Sequence, residues 1–277
     1  MATLNTAEHF RIDHLIGSIS PGRYADLILS RSIERIVPEY VFVSGRLRAK
    51  GGGLLVEPKR GEYPESLRRT LRLHRRLGPG DFRIRADEGE HRVRVIELIR
   101  DQIVNRASTA VLTGKDGFLE ADMENDILPI FCVERYGKNG NIGCGMISGF
   151  SLKRGAIAGS VAHDHHNIMV VGTDPNDMLA AVAALAEAQG GFVAVADGEV
   201  ISLLPLPLCG LMSEEPMEKV DAGLSSVREA ARGLGCRLPA PFMTLSFVSL
   251  PTVPELGITD RGLIDVRRSR IVPLFID

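Results

Sequence analysis

No stretch of the 277-residue chain reaches the ~18 consecutive apolar residues that a bilayer-spanning helix requires, so no membrane span is expected. Cysteine is scarce. Cys132, Cys144, Cys209 and Cys236 are scattered with no C-x-x-C pair, which argues against a disulfide framework or a zinc ribbon. The opening residues, Met1 to Glu8, lack the apolar core of a signal peptide, and the expected location is the cytoplasm. Charge of one sign is lacking too. A formal net charge of −2 gives no general attraction to nucleic acid or to an anionic membrane, and neither is expected as a partner. A Walker A loop and a strand–G-x-S-x-G elbow are both missing, so nucleotide hydrolysis and serine-hydrolase chemistry have no support. Repeats and low-complexity tracts are absent as well. What is present, 44% hydrophobic and 25% charged residues, is ordinary for a globular protein with room for one large domain or two small ones.

Residues 2–12 carry Leu4, Ala7 and Phe10 at helical spacing. Pro21-Gly22 suits a type II turn, and residues 27–29 and 40–46 read as strands, the first of them buried. Gly51-Gly52-Gly53 opens a connector running to residue 90. Within it Arg68, Arg69, Arg72, Arg75 and Arg76 are read as the solvated face of a short helix, with anion binding as the alternative. Residues 92–98 and 127–133 are expected strands, the second ended by a turn-rich stretch at 137–143. Thr173 or Asp174 caps a helix with Pro175 in its first turn, which stops at Gly190-Gly191. Strands at 192–196 and 200–204 join across Asp197-Gly198. Ser213 is expected to cap a helix whose Met217, Val220, Leu224, Val227, Ala231 and Leu234 form one apolar face, and Gly235 ends it. Residues 242–250 and 271–276 read as strands. Hairpins with helices lying on them make the fold class α+β, a mixed sheet with packed helices.

The chemistry is concentrated in one place. Gly155 to Ser160 are small residues expected to turn or to pass close to something. His163-Asp164-His165-His166-Asn167 follow, and then the apolar run 168–172. Polar groups this dense beside a core strand are costly without partners. On a strand, the H-x-H of His163 and His165 faces one way and suits a shared metal. Neutral imidazoles also line pockets or bond to backbone. The reading adopted is a substrate pocket formed by Ser160, His163, Asp164, His165, His166 and Asn167, with metal ligation and a purely structural network as alternatives. Asp164 and Asn167 match the adjacent donor and acceptor of a purine edge. Glu124 and Asp126 are candidates for acid–base groups, set against a turn with a polar cap.

These motifs carry a resemblance. Gly149-Phe150, residues 152–164 and His166-Asn167 resemble the C-terminal domain of bacterial adenine deaminases. So, in the same order, do residues 124–128, 204–207 with 210–213, 241–247 and 259–263. The stretch 16–29 resembles the exit of the catalytic barrel in metal-dependent amidohydrolases. The resemblance implies a last barrel helix at 1–13, a small β-sandwich segment of the amidohydrolase composite domain at 14–60, the connector at 61–90 and the α+β domain at 91–277. It also implies purine salvage by deamination of adenine to hypoxanthine, with a divalent metal, Mn or Fe, held in a barrel. The barrel ligands lie N-terminal to the matched part, so no catalytic residue is assigned here and no metal is expected on this chain alone. Adenine is the implied ligand, and a barrel-bearing chain or a second copy the implied protein partner. Two other classes stay open: the non-catalytic half of a split amidohydrolase, and a purine-binding module without chemistry. The family often places serine where this chain has His165.

Overall fold

Short segments near the start of the chain pair into a sheet of their own. The computed structural model describes residues 2–57, 61–253 and 255–276. Met1, Pro58, Lys59, Arg60, Pro254 and Asp277 lie outside the described residues, and with them the expected boundary at 60. The chain divides into two compact units, Met1–Glu62 and Tyr63–Asp277.

In the first unit, α1 (Leu4–His9) is shorter than the helix expected over 2–12. Thr3 supplies no side-chain cap and Ala7 is its only buried residue. Strands β1 (Leu27–Leu29), β2 (Tyr40–Val43), β3 (Arg46–Lys50) and β4 (Gly53–Leu54) form an antiparallel sheet in that order. Ser44 and Gly45, both at positive φ, make the β2–β3 turn. The strand at 27–29 is present but not buried, because within this unit nothing covers Ile28 and Leu29. Phe10, Ile19 and Ile33 are also exposed, at 66%, 84% and 93%. A helix of fewer than about 12 residues does not hold itself in water. Amide exchange at Leu4 to Phe10 in the isolated chain is therefore expected to be fast. Strong protection there in a monomer would contradict this account of α1.

The second unit is built on a nine-stranded sheet. Its strands are β5 (Gly89–Leu98), β6 (Asn105–Lys115), β7 (Phe118–Leu119), β8 (Ile127–Val133), β9 (Ile142–Ser148), β10 (Ala156–Gly159) and β11 (Ile168–Gly172). Helix α2 (Pro175–Glu187) follows, and then β12 (Gly191–Ala196) and β13 (Glu199–Pro205). The spatial order is β13-β12-β10-β11-β8-β9-β5-β6-β7. β5 runs parallel to β9 and the other neighbours are antiparallel, so the sheet is mixed. Every residue of β10 and β11 is buried, as in strands covered on both faces. Helices α2, α3 (Met217–Gly233) and α4 (Pro241–Val248) pack on this part of the sheet. The small hairpin β14 (Leu256–Thr259) and β15 (Gly262–Asp265), with β16 (Arg270–Val272), lies against β9. A side chain at Gly143 would run into the Thr259 carbonyl, so this glycine lets the hairpin approach.

Several caps and turns stand where expected. Asp174 accepts from Asn176 N (2.7 Å) and Asp177 N (3.2 Å), and Asp197-Gly198 turns β12 into β13 with both φ positive. Residues 156–159 form strand β10, where the expected close approach is present: a side chain on Gly159 would strike the Phe192 ring. Three local expectations give way. Residues 242–250 are not a strand but mostly α4: Pro241 stands in its first turn, and Phe242, Leu245 and Ser246 are buried at helical spacing. Ser213 does not cap α3. Its hydroxyl accepts from Glu215 N (3.1 Å), and the helix starts at Met217 after Pro216. The arginines 68–76 are not helical. Beyond a 3-10 turn at Glu65–Leu67 no helix forms across them, and the Leu71 amide and carbonyl are both held by the Gln189 side chain at 3.2 Å.

Candidate functional site

The polar cluster expected between a turn and a strand is a tight loop between β10 and β11, gripped from several sides. Ser160 is fully buried. Its hydroxyl donates to the Gly210 carbonyl (2.6 Å) and accepts from Gly191 N (2.8 Å), so it ties the loop to two neighbouring turns. From α4, the Ser246 carbonyl accepts from His163 N (3.0 Å), the Ser246 hydroxyl donates to the Val161 carbonyl, and the Ser249 hydroxyl donates to the His163 carbonyl (3.0 Å). The His163 ring lies over Phe247, with centroids 4.9 Å apart, and meets His166 edge-on at 5.7 Å. Asp164 projects from the loop with its side chain 82% exposed, and His163 Nδ1 stands 3.9 Å from its Oδ1.

Two backbone bonds fix the imidazole tautomers. His165 Nδ1 accepts from Asn167 N (3.1 Å), and His166 Nδ1 accepts from Ala162 N (3.3 Å). A neutral ring that accepts at Nδ1 carries its proton on Nε2. Burial holds His165 below the ordinary histidine value, partly offset by Asp260 and the Ile258 backbone. Burial, then His163 and Arg135, do the same for His166. Both rings are accordingly neutral donors at neutral pH. Asn167 is buried. Its Nδ2 faces Asp260 Oδ1 at 3.5 Å, and its side chain meets the Cys132 thiol, which burial pushes well above the usual range.

Sequence reasoning missed two members of this cluster. Asp260, in the β14–β15 turn, stands beside His165 and Asn167 and accepts from Asn141 Nδ2 (3.3 Å). An open groove lined by Asn141, Cys144, Asp260, Arg261, Leu263 and Leu274 runs past its carboxylate. Asp260 belonged to a motif noted at 259–263, but nothing in its spacing tied it to the histidines. Arg135 is 1% exposed, donates to the carbonyls of His166 and Cys209, and has no carboxylate among its hydrogen-bond partners. A lone arginine after an apolar strand gives no sequence signal for such a role. Glu124 and Asp126, the acid–base candidates, stand in a turn. Asp126, at positive φ, accepts from Gly149 N (3.0 Å), Ser151 N (2.7 Å) and the Ser151 hydroxyl (3.1 Å). That is the polar-capped turn.

Among the described residues, four buried side-chain polar atoms have no hydrogen-bond partner, and three of them are Arg135 Nη1, His165 Nε2 and Asn167 Oδ1. Such groups are rare in folded proteins and call for an explanation. These atoms lie inside the fold, and the His165 ring also stands against the Ile258 backbone, so they mark a loop whose interior polar groups are only partly satisfied within this chain. They do not suit a metal. Both Nδ1 atoms are engaged with backbone N–H groups, and among the described residues no three His, Cys, Asp or Glu side chains are grouped to hold an ion. No helix among those residues is long and apolar enough to cross a membrane.

Comparison with known proteins places this architecture. Residues 102–270 match the adenine deaminase C-terminal domain family, and residues 1–48 match the amidohydrolase family. A protein named adenine deaminase from Desulforamulus reducens is 49% identical over 277 residues, covering 100% of this chain and 47% of its own length. Relatives of the same name from Moorella thermoacetica (45% over 274 residues, 98% of this chain and 46% of the relative) and Methanococcoides burtonii (41% over 276 residues, again 98% and 46%) align likewise. The chain spans about half the length of the curated relatives it matches.

Proposed function

The chain belongs to the adenine deaminase C-terminal domain family, and from that membership we propose that it serves as the C-terminal part of an adenine deaminase, which converts adenine and water to hypoxanthine and ammonia in purine salvage. The observation that carries this reading is the likeness to proteins of that name along the whole of this chain. We place the reacting centre in the barrel of the amidohydrolase part, where a bound Mn or Fe would supply an activated water; the His, Cys, Asp and Glu side chains described here are not grouped to hold the ion. This chain's share is the loop at 163–167, with Asp260 and Arg135 behind it. Its exposed Asp164 and partly exposed His163 are polar groups of the kind a purine edge can satisfy. The exposed apolar residues of the first unit, Phe10, Ile19 and Ile33 among them, suit coverage by a barrel-bearing partner, whether in the same polypeptide or in another. Free thiols at Cys132, Cys144, Cys209 and Cys236 fit the cytoplasm, where thiols stay reduced.

The test compares residues 1–277 alone with the same residues joined to the amidohydrolase part of a relative, each given adenine and manganese or iron. The joined protein is expected to release ammonia and form hypoxanthine, with the isolated chain at background. A folded, metal-loaded joined protein inert toward adenine would refute the proposal. Metal-dependent turnover by the isolated chain, lost in His163→Ala, would move the chemistry into this domain.

A further inference from the structure

The three residues that follow β8 are all committed to backbone groups. The Glu134 carboxylate accepts from the N–H groups of Tyr136 (2.5 Å), Lys138 (3.0 Å), Asn139 (3.3 Å) and Gly140 (3.2 Å), curling the chain around one charge. The two residues inside that curl both reach the histidine loop. Tyr136 Oη donates to the His165 carbonyl (2.8 Å), and Arg135 Nε donates to the next carbonyl, that of His166. Arg135 Nη2 continues to the Cys209 carbonyl (2.8 Å), and the guanidinium lies 4.9 Å from the centre of the Tyr136 ring. A side chain at Gly210 would collide with the guanidinium, so glycine there admits the arginine. Glu134, the adjacent carboxylate, is spent on the curl and does not pair with it. A buried cation met by carbonyl dipoles and a tyrosine, with no carboxylate among its hydrogen-bond partners, is costly to keep. An apolar residue would fill the same volume without that cost, so its retention asks for a role beyond packing.

We propose that Arg135, assisted by Tyr136, is the positioning residue of the histidine loop: by gripping the consecutive carbonyls of His165 and His166 it orients both imidazoles so that Nδ1 turns back onto the loop's own amides and the proton sits on Nε2. The proposal rests on the reading of this loop as a substrate-facing element, but its geometry is testable without turnover. Arginine suits the task because its planar fork reaches two carbonyls at once. Lysine keeps the charge but not the fork, and glutamine keeps one amide donor without the charge.

The experiment uses the full chain labelled with 15N-histidine, because long-range proton–nitrogen spectra separate the two neutral tautomers. The unaltered protein is expected to show single Nε2–H signals for His165 and His166. Arg135→Lys and Arg135→Gln are expected to lose the single-tautomer signal of His166, with a smaller loss in the lysine variant. Tyr136→Phe removes one hydroxyl from an exposed side chain and should disturb His165 while the fold persists, so it serves if the arginine variants fail to fold. Mixed tautomers in the unaltered protein overturn the proposal. So do variants that melt earlier while their folded fraction keeps both signals, which is what a merely structural arginine predicts. Loss of the tautomer lock with undiminished adenine turnover in the joined protein would uphold the positioning and count against the substrate-facing role of the loop.

Discussion

Asp164→Ala, in a full-length adenine deaminase carrying this C-terminal part, is expected to lower kcat/KM about tenfold or more and to leave the melting temperature unchanged. The side chain is 82% exposed and lies 3.9 Å from His163 Nδ1, too far for a hydrogen bond. Substitutions at such positions change stability by no more than about 0.5 kcal/mol. An effect on turnover therefore reports a contact made outside this domain. One lost hydrogen bond to a polar partner is worth about 1–3 kcal/mol, which is where the tenfold figure comes from. Asn167→Ala should behave differently. Asn167 is buried between Asp260 and Cys132, so its loss lowers melting temperature and activity together. Measuring both quantities on both variants separates the roles. If Asp164→Ala leaves kcat/KM intact while Asn167→Ala destabilises, the loop is a structural network and the substrate-facing reading fails.

What the sequence made legible follows from the range of the interactions involved. The loop at 163–167 was recognisable because its polar residues are adjacent and stand before a short apolar run. Asp174, Pro175 and Asp197-Gly198 were recognisable because capping and tight turns act within a few residues. Residues 242–250 misled because a continuous apolar run has no period that separates a buried strand from a buried helix. Pro241 was the overlooked clue, being well placed in a first helical turn. β10 was hidden by its small residues, whose reason is the Phe192 ring on the neighbouring strand, more than thirty positions away. The same distance hid the site's other members. Asp260 reaches Asn167 only because Gly143 admits the hairpin against β9, and Arg135 finds its two carbonyls on segments that fold to it from His166 and Cys209. No local pattern encodes such meetings. The fold class survived these misreadings because it depends on the alternation of strands and helices as a whole, to which one exchanged element makes little difference.

The segment before β5 offers the other large effect. Phe82 and Phe131 are each 1% exposed, and their rings meet edge to face with centroids 5.6 Å apart. Phe131 is in the middle of β8, paired with Val170 of β11 and Cys144 of β9. Phe82 ends a 3-10 turn (Pro79–Phe82) that packs on α2, within residues read as a connector. Removing a buried phenylalanine costs about 3–5 kcal/mol, against a typical total stability of about 5–15 kcal/mol. Phe131→Ala and Phe82→Ala are each expected to lower the unfolding free energy by an amount in that range, read as a lower urea midpoint at unchanged slope. Their double variant should fall short of the sum by about 0.5–1.5 kcal/mol, the worth of the aromatic pair itself. The decisive variant is Phe82→Ala. A loss within about 0.5 kcal/mol, the size of a surface change, would make 61–90 a connector laid over a finished domain. A loss like that of Phe131→Ala would make it part of the core, with Leu71 and Ile84 of the same segment buried alongside it. The Leu71 backbone is pinned by Gln189 and Arg72 N donates to the Arg135 carbonyl at 2.7 Å, so loosening Phe82 should also loosen the support beneath the histidine loop.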